Sequence, residues 1–157
     1  MNITEKQISE FYNSINITDY NCLSLEEVVR NIDVNLVYWP HSSSIAIYNN
    51  EYIVFINESI NVQRQWQHFG HEMSHYFYDE ISYDSLYEGY ASYGESKADY
   101  FAYHFCVPTF MLLKMGEVTA YDIMYLFNVE FDFALRRLEM YESKLIERRN
   151  KYAWSYK

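Results

Sequence analysis

Basic side chains are scarce in this sequence. Its 157 residues carry 12 lysines and arginines against 22 aspartates and glutamates, a net charge of −10. That balance argues against nucleic-acid binding through phosphate neutralisation and favours a neutral or basic partner. Cysteine is scarcer still. Cys22 and Cys106 stand alone, with no CxxC pair and no disulfide framework between them. Both read as free thiols in a reducing compartment, packing residues rather than nucleophiles. With 2 prolines and 4 glycines, no linker, repeat or low-complexity tract stands out. No apolar run approaches the roughly 20 residues that span a bilayer. Met1 to Ile15 contains Glu5, Lys6 and Glu10 and lacks the apolar core of a secretory signal. The expected location is the cytoplasm, with no membrane partner.

Apolar material is ample: half of the residues are hydrophobic, and 18 are tyrosines. The length suits one domain, residues 1–157, able to bury roughly 70% of its unfolded surface. The tyrosines read mostly as packing or surface residues. Thr4-Glu5-Lys6-Gln7 and Ser24-Leu25-Glu26-Glu27 have the form of capping boxes and predict short helices over 5–14 and 25–31. Strands are expected over 34–39, stopping at Pro40, and over 45–48 and 52–57. Asn49-Asn50 tolerates positive φ, so the last two strands should form a tight hairpin. Trp66, Phe69, Met73 and Phe77 recur at three- and four-residue steps and predict a helix over 61–78. The Tyr-rich stretch 79–94, with two of the glycines, reads as a loop. A helix over 95–106 ends before Pro108. Met111, Leu112 and Leu113 continue the core, and helices follow over 121–127 and 130–149. Helices, then a small antiparallel sheet, then helices make an α+β pattern.

Within the first long helix lies His71-Glu72-Met73-Ser74-His75, an HExxH sequence. At 3.6 residues per turn the two histidines point within about 40° of each other and can hold one metal ion through two ring nitrogens. Glu72 is rotated toward the water side, where it can take a proton from an attacking water. Alone, the motif is also compatible with two ordinary histidines on an amphipathic helix. A catalytic zinc needs a third protein ligand and one open position. The extended metzincin pattern would put Gly at 78 and His at 81, but the chain has Tyr78 and Ile81. Glu95-Ser96-Lys97-Ala98-Asp99 offers another route. Glu95 and Asp99 share a helical face, so Glu95 can ligate while Asp99 accepts the N–H of a ligand histidine. Ala98 is small enough for close helix packing. The bland alternative for Glu95 is a charge that answers the helix dipole. Rival ligands are Asp79, Glu80, Asp84 and Glu88, none with an equivalent partner four residues on.

At these residues the chain resembles the ImmA/IrrE metallopeptidases. Tyr52-Ile53-Val54-Phe55-Ile56-Asn57 is similar to the strand before that family's active helix. His71-Glu72-Met73-Ser74-His75 matches its HExxH, although Ser74 stands where the family usually has Gly. Glu95-Ser96-Lys97-Ala98-Asp99-Tyr100-Phe101-Ala102 matches its ExxA(N/D)xFA signature, and Pro108 falls where that helix usually ends. Leu126-Phe127-Asn128-Val129 and Arg137-Leu138 are similar to a C-terminal segment. The resemblance covers residues 25–145. It implies a zincin-like, gluzincin-type fold and selective intracellular proteolysis of DNA-binding repressors of phages, mobile elements or stress regulons. Zinc is the expected metal, with manganese as a second candidate.

The expected mechanism has His71, His75 and Glu95 hold the metal while Glu72 shuttles a proton from water to the leaving amine. A substrate strand would add to the sheet along 52–57 or 45–48. His68, one turn before His71, is either a substrate-side group or a hydrogen-bonded structural histidine. His104 reads as structural, and His41 follows Pro40 in a turn. Two other functions compete. The protein could be a binding module that masks a regulator as an anti-repressor or antitoxin would, but a structural zinc would fill all four positions with side chains. It could also bind DNA through 119–138, which superficially resembles a helix-turn-helix. There, Glu130 and Asp132 at the second helix's start would repel phosphates. The expected partner is therefore a protein, a helix-turn-helix repressor, with no direct nucleic-acid contact.

Overall fold

The computed structural model describes residues 1–78 and 88–155, and for 88–94 it describes the backbone. In chain order the elements are α1 (Ile3–Ser14), α2 (Leu25–Arg30), β1 (Val34–Trp39), β2 (Ser44–Tyr48), β3 (Glu51–Asn57), α3 (Val62–Tyr78), α4 (Glu88–Cys106), α5 (Thr109–Leu113), α6 (Ala120–Leu126) and α7 (Phe131–Ser155). Helix α1 begins earlier than the Thr4 box predicts. Asn2 is its N-cap: the Asn2 side chain accepts from the Glu5 N–H, and the Glu5 carboxylate accepts from the Asn2 N–H. Ser24 caps α2 as expected, accepting the Glu27 N–H at 3.1 Å.

The three strands form one sheet in the order β1-β3-β2. It is mixed, not antiparallel as expected. β2 and β3 form the hairpin, with Asn49 and Asn50 at φ 50° and 64°, the two positive values that a type I′ turn requires. β1 pairs parallel to β3, Val34 against Tyr52 through Trp39 against Asn57. Strand β3 is therefore paired along both edges, and its Val54 and Ile56 are fully buried. This removes 52–57 as a template for an added strand; among the described residues β1 and β2 keep the open edges.

Helix α3 lays its predicted stripe against the core, with Trp66, Phe69 and Met73 buried and Phe77 half-buried. Helix α4 starts at Glu88, so 88–94 is helical and not loop; residues 79–87 lie outside the described range. Phe101 and Phe105 of α4 complete the aromatic core with Phe69 and Tyr12, and the Tyr12 hydroxyl donates to the Phe105 carbonyl at 2.8 Å. Among the small residues, Ala98, Ala102 and Gly70 are buried where α3 meets α4. Cys106 packs there too, whereas Cys22 is exposed rather than packed. Helix α7 runs beyond the predicted 149, to Ser155.

A polar cluster lies under this core. Glu5 is 3% exposed and Arg137 is fully buried. Glu5 accepts from Thr109 at 2.8 Å and pairs with Lys144 at 2.7 Å. Arg137 donates to Thr109 Oγ1 at 2.8 Å and to the Val107 carbonyl at 3.0 Å. Burial alone would raise the Glu5 carboxyl; the bonds from Lys144, the Asn2 N–H and Thr109 outweigh it and bring the pKa down to about 2. The cluster joins α1, α5 and α7.

Candidate metal centre

Helices α3 and α4 face each other across a short polar gap. His71 and His75 stand one turn apart on α3, their ring centroids 5.6 Å from each other. Glu95 reaches across from α4, with Oε2 at 3.0 Å from His71 Nε2 and Oε1 at 3.8 Å from His75 Nε2. One ligand atom from each of these three residues lies within 4.8 Å of the other two. A tetrahedral ion with bonds near 2.0–2.2 Å would set its ligand atoms ~3.4 Å apart, so the spacing fits a single ion. One turn beyond Glu95, Asp99 Oδ1 accepts from His71 Nδ1–H at 2.8 Å. That bond puts the proton of a neutral ring on Nδ1 and turns the lone pair of Nε2 toward Glu95. Nε2 and the Glu95 carboxylate oxygen, 3.0 Å apart, are close enough to share one bound cation. The donor set, two imidazole nitrogens and a carboxylate, suits zinc.

Glu72 lies just inside this gap, 8% exposed. Burial pushes its carboxyl up to about 7, with His71 opposing the rise and the charge of Glu95 adding to it.

The gap opens into a cleft of about 490 Å³ lined by His68, His71, Glu72, Glu95 and Asp99, and also by Ser43, Asn57, Gln67, Tyr103 and Phe133. Sequence reasoning missed the last five. Tyr103 was findable: it continues the Glu95–Asp99 stripe by one more turn. Ser43, Asn57 and Phe133 come from distant segments that the fold alone brings near. Gln67 pins α7 over the cleft: its Oε1 accepts the Glu130 N–H at 2.7 Å and its Nε2 donates to Glu130 Oε1 at 3.3 Å. Phe133 then packs on Tyr103, centroids 4.4 Å apart and ring planes tilted by 31°.

His68 faces Ser43, with Nδ1 at 3.0 Å from the hydroxyl. His104 is buried away from the cleft, and its Nδ1–H donates to the Tyr100 carbonyl at 3.0 Å. His41 packs edge-on against Trp39. Of the rival ligands, Asp79, Glu80 and Asp84 lie outside the described residues, and the Glu88 side chain is likewise outside the description. Among the described residues no helix is long and apolar enough to cross a membrane.

Comparison with known proteins agrees with the sequence resemblance. The family model described as Peptidase_M78, IrrE N-terminal-like domain, matches residues 26–139. The phage-like element PBSX protein XkdA of Bacillus subtilis (strain 168) is 28% identical over 146 residues, covering 89% of this chain and 73% of that protein. The uncharacterized protein YqaB of the same strain is 27% identical over 148 residues, covering 91% and 86%. Among solved structures, a Mycobacterium tuberculosis transcriptional regulator matches with a TM-score of 0.59 at 14% identity. That match covers 83% of this chain but 44% of the regulator, so the chain spans less than half of that structure, and the likeness is one of fold.

Proposed function

We propose that this chain, which belongs to the Peptidase_M78 family of IrrE N-terminal-like domains, is a zinc-dependent endopeptidase of zincin-like fold. The observation that carries the reading is the convergence of His71, His75 and Glu95 on one point beside the buried Glu72. In this reading His71, His75 and Glu95 hold the ion, and Asp99 keeps His71 in the ligating tautomer. When bound, zinc supplies Lewis acidity, acidifying water and polarising a carbonyl oxygen. Glu72 accepts the proton of the attacking water on its carboxylate and returns it to the leaving amine. His68 and Tyr103 border the substrate side of the cleft. A substrate strand would add to the open edge of β2, whose entry residue Ser43 lines the cleft.

The proposed substrate is a DNA-binding repressor of helix-turn-helix type, cleaved in the cytoplasm to relieve repression of a phage or mobile element. The net charge of −10 suits a basic partner of that kind, and one relative carries the name of a phage-like element.

Elemental analysis of purified wild type, Glu95→Ala and Glu72→Gln tests the reading. Wild type and Glu72→Gln should retain about one zinc per chain, and Glu95→Ala should lose it. Glu72→Gln should also fail to cleave a repressor that wild type cleaves. A wild-type protein that binds no metal when zinc is supplied would refute the proposal.

A further inference from the structure

Two hydrogen bonds meet on the Ser43 hydroxyl. The Asn57 backbone N–H donates to Oγ at 3.0 Å, and Oγ lies 3.0 Å from His68 Nδ1. A backbone N–H can only donate, so it occupies a lone pair of Oγ. The Ser43 proton still needs an acceptor, and among the described residues His68 Nδ1 is the group that the hydroxyl reaches. Were Nδ1 protonated instead, Ser43 would accept twice and its own proton would be left to solvent in the cleft rather than to a protein acceptor. Burial, with Arg64 and His71 nearby, holds the His68 imidazole below its ordinary range, outweighing Glu130 and Asp99, so the ring is neutral near neutral pH. A neutral imidazole that accepts at Nδ1 carries its proton on Nε2. His68 also lines the cleft that holds His71, Glu72 and Glu95, and it stands one helical turn before His71, on the same face.

We infer that Ser43 is a positioning residue that fixes His68 as its Nε2–H tautomer, and that this N–H is the cleft's donor to the carbonyl oxygen of a bound peptide. The identity of the acceptor rests on the peptidase reading; the tautomer does not. As water adds to the carbonyl, negative charge gathers on its oxygen. A neutral N–H held in place by Ser43 and the end of β3 stabilises that charge without reorganising. His68 donates a hydrogen bond and keeps its proton, so Glu72 remains the group that moves one. The anchor is rigid because Asn57 is the last residue of β3, paired there with Trp39.

Nitrogen-15 NMR of the histidine side chains, recorded on metal-free protein, tests the tautomer independently of catalysis. Wild type should show His68 protonated on Nε2, and Ser43→Ala should shift it toward a mixture. A wild-type His68 protonated on Nδ1 would overturn the inference. The donor role is tested on zinc-loaded protein with acetohydroxamate, a small zinc ligand whose oxygens present acceptors in the cleft. His68→Ala should bind it about tenfold more weakly while keeping its zinc, and His68→Gln, which retains an N–H, should recover part of the loss. Affinity in His68→Ala within about twofold of wild type overturns the donor role. Wild type that holds zinc yet binds no acetohydroxamate also overturns it. Wild type that holds no zinc sinks the peptidase reading instead, and the donor role with it.

Discussion

Gly70→Ala probes how the metal centre depends on helix spacing. Gly70 precedes His71 on α3 and faces α4. A Cβ built there would stand 2.7 Å from Cys106 Sγ, 3.4 Å from Ala102 Cα and 3.5 Å from Ala102 Cβ. An ordinary contact needs about 3.5–4.0 Å, so the sulfur is too close by ~1 Å. Either Cys106 turns away and loses its bond to the Trp66 carbonyl at 3.4 Å, or α3 and α4 separate. Overpacking of this kind costs about 1–3 kcal/mol, while alanine for glycine inside a helix returns up to ~1 kcal/mol. The net expectation is a loss of roughly 0–2 kcal/mol. Separation also moves His71 relative to Glu95, now 3.0 Å apart across the gap. Coordination bonds tolerate about 0.2 Å, so zinc affinity should fall about tenfold or more. Urea unfolding and competition against a chelating dye measure both quantities. Cys106→Ala removes the offending sulfur, and the Gly70→Ala/Cys106→Ala double variant should regain most of the zinc affinity. If Gly70→Ala raises stability and binds zinc like wild type, the close approach does not set the site, and the reasoning fails.

Asp99→Asn should keep the fold and weaken zinc binding by about tenfold, the low end of the usual 10- to 100-fold effect of such a partner, because the Asp99 side chain is 68% exposed; the same dye competition checks it. Glu5→Gln tests the buried cluster through pH. The folded-state pKa of Glu5, about 2 against an ordinary 4.5, is depressed, so its contribution to stability is present above the ordinary value and is lost as pH falls from 4.5 toward 2. The size is roughly 3 kcal/mol. Between about pH 6 and about pH 3, metal-free wild type should therefore lose more stability than Glu5→Gln. Equal losses in urea titrations followed by tryptophan fluorescence would exclude the ion pair as the cause.

Local signals in the sequence were strong where the structure obeys local rules. The Asn49-Asn50 turn, the Ser24 cap and the α3 stripe of Trp66, Phe69 and Met73 each depend on neighbours a few residues away. The pairing of β1 alongside β3 does not: it joins segments through a crossover that no short-range pattern encodes. Residues 88–94 misled because their glycines and tyrosines weaken helix propensity, a preference that tertiary context overrides. Glu95 and Asp99 were legible from their four-residue spacing. Ser43 and Asn57 were not, because a serine in an irregular link and a backbone N–H carry no chemical signature until the sheet sets them beside His68. Arg137 was legible only as part of a family resemblance; its burial follows from Thr109 and the Val107 carbonyl, which the fold supplies.

The polar cluster around Glu5 also sets an order of events during synthesis. Thr109 follows Glu5 by 104 positions, and on a ribosome adding roughly 5–20 residues per second it emerges ~5–20 s later, with Lys144 later still. Until then Glu5 has its local capping bond from the Asn2 N–H but neither Thr109 nor Lys144, and sinking its charge into the interior would be unfavourable. Ile8 and Tyr12 lie on the same short helix, and the carbonyl that takes the Tyr12 hydroxyl belongs to Phe105, 93 positions away. Helix α1 therefore docks well after it is made, and its apolar face stays open to the surroundings until the segments that carry Phe105, Thr109 and Lys144 have followed.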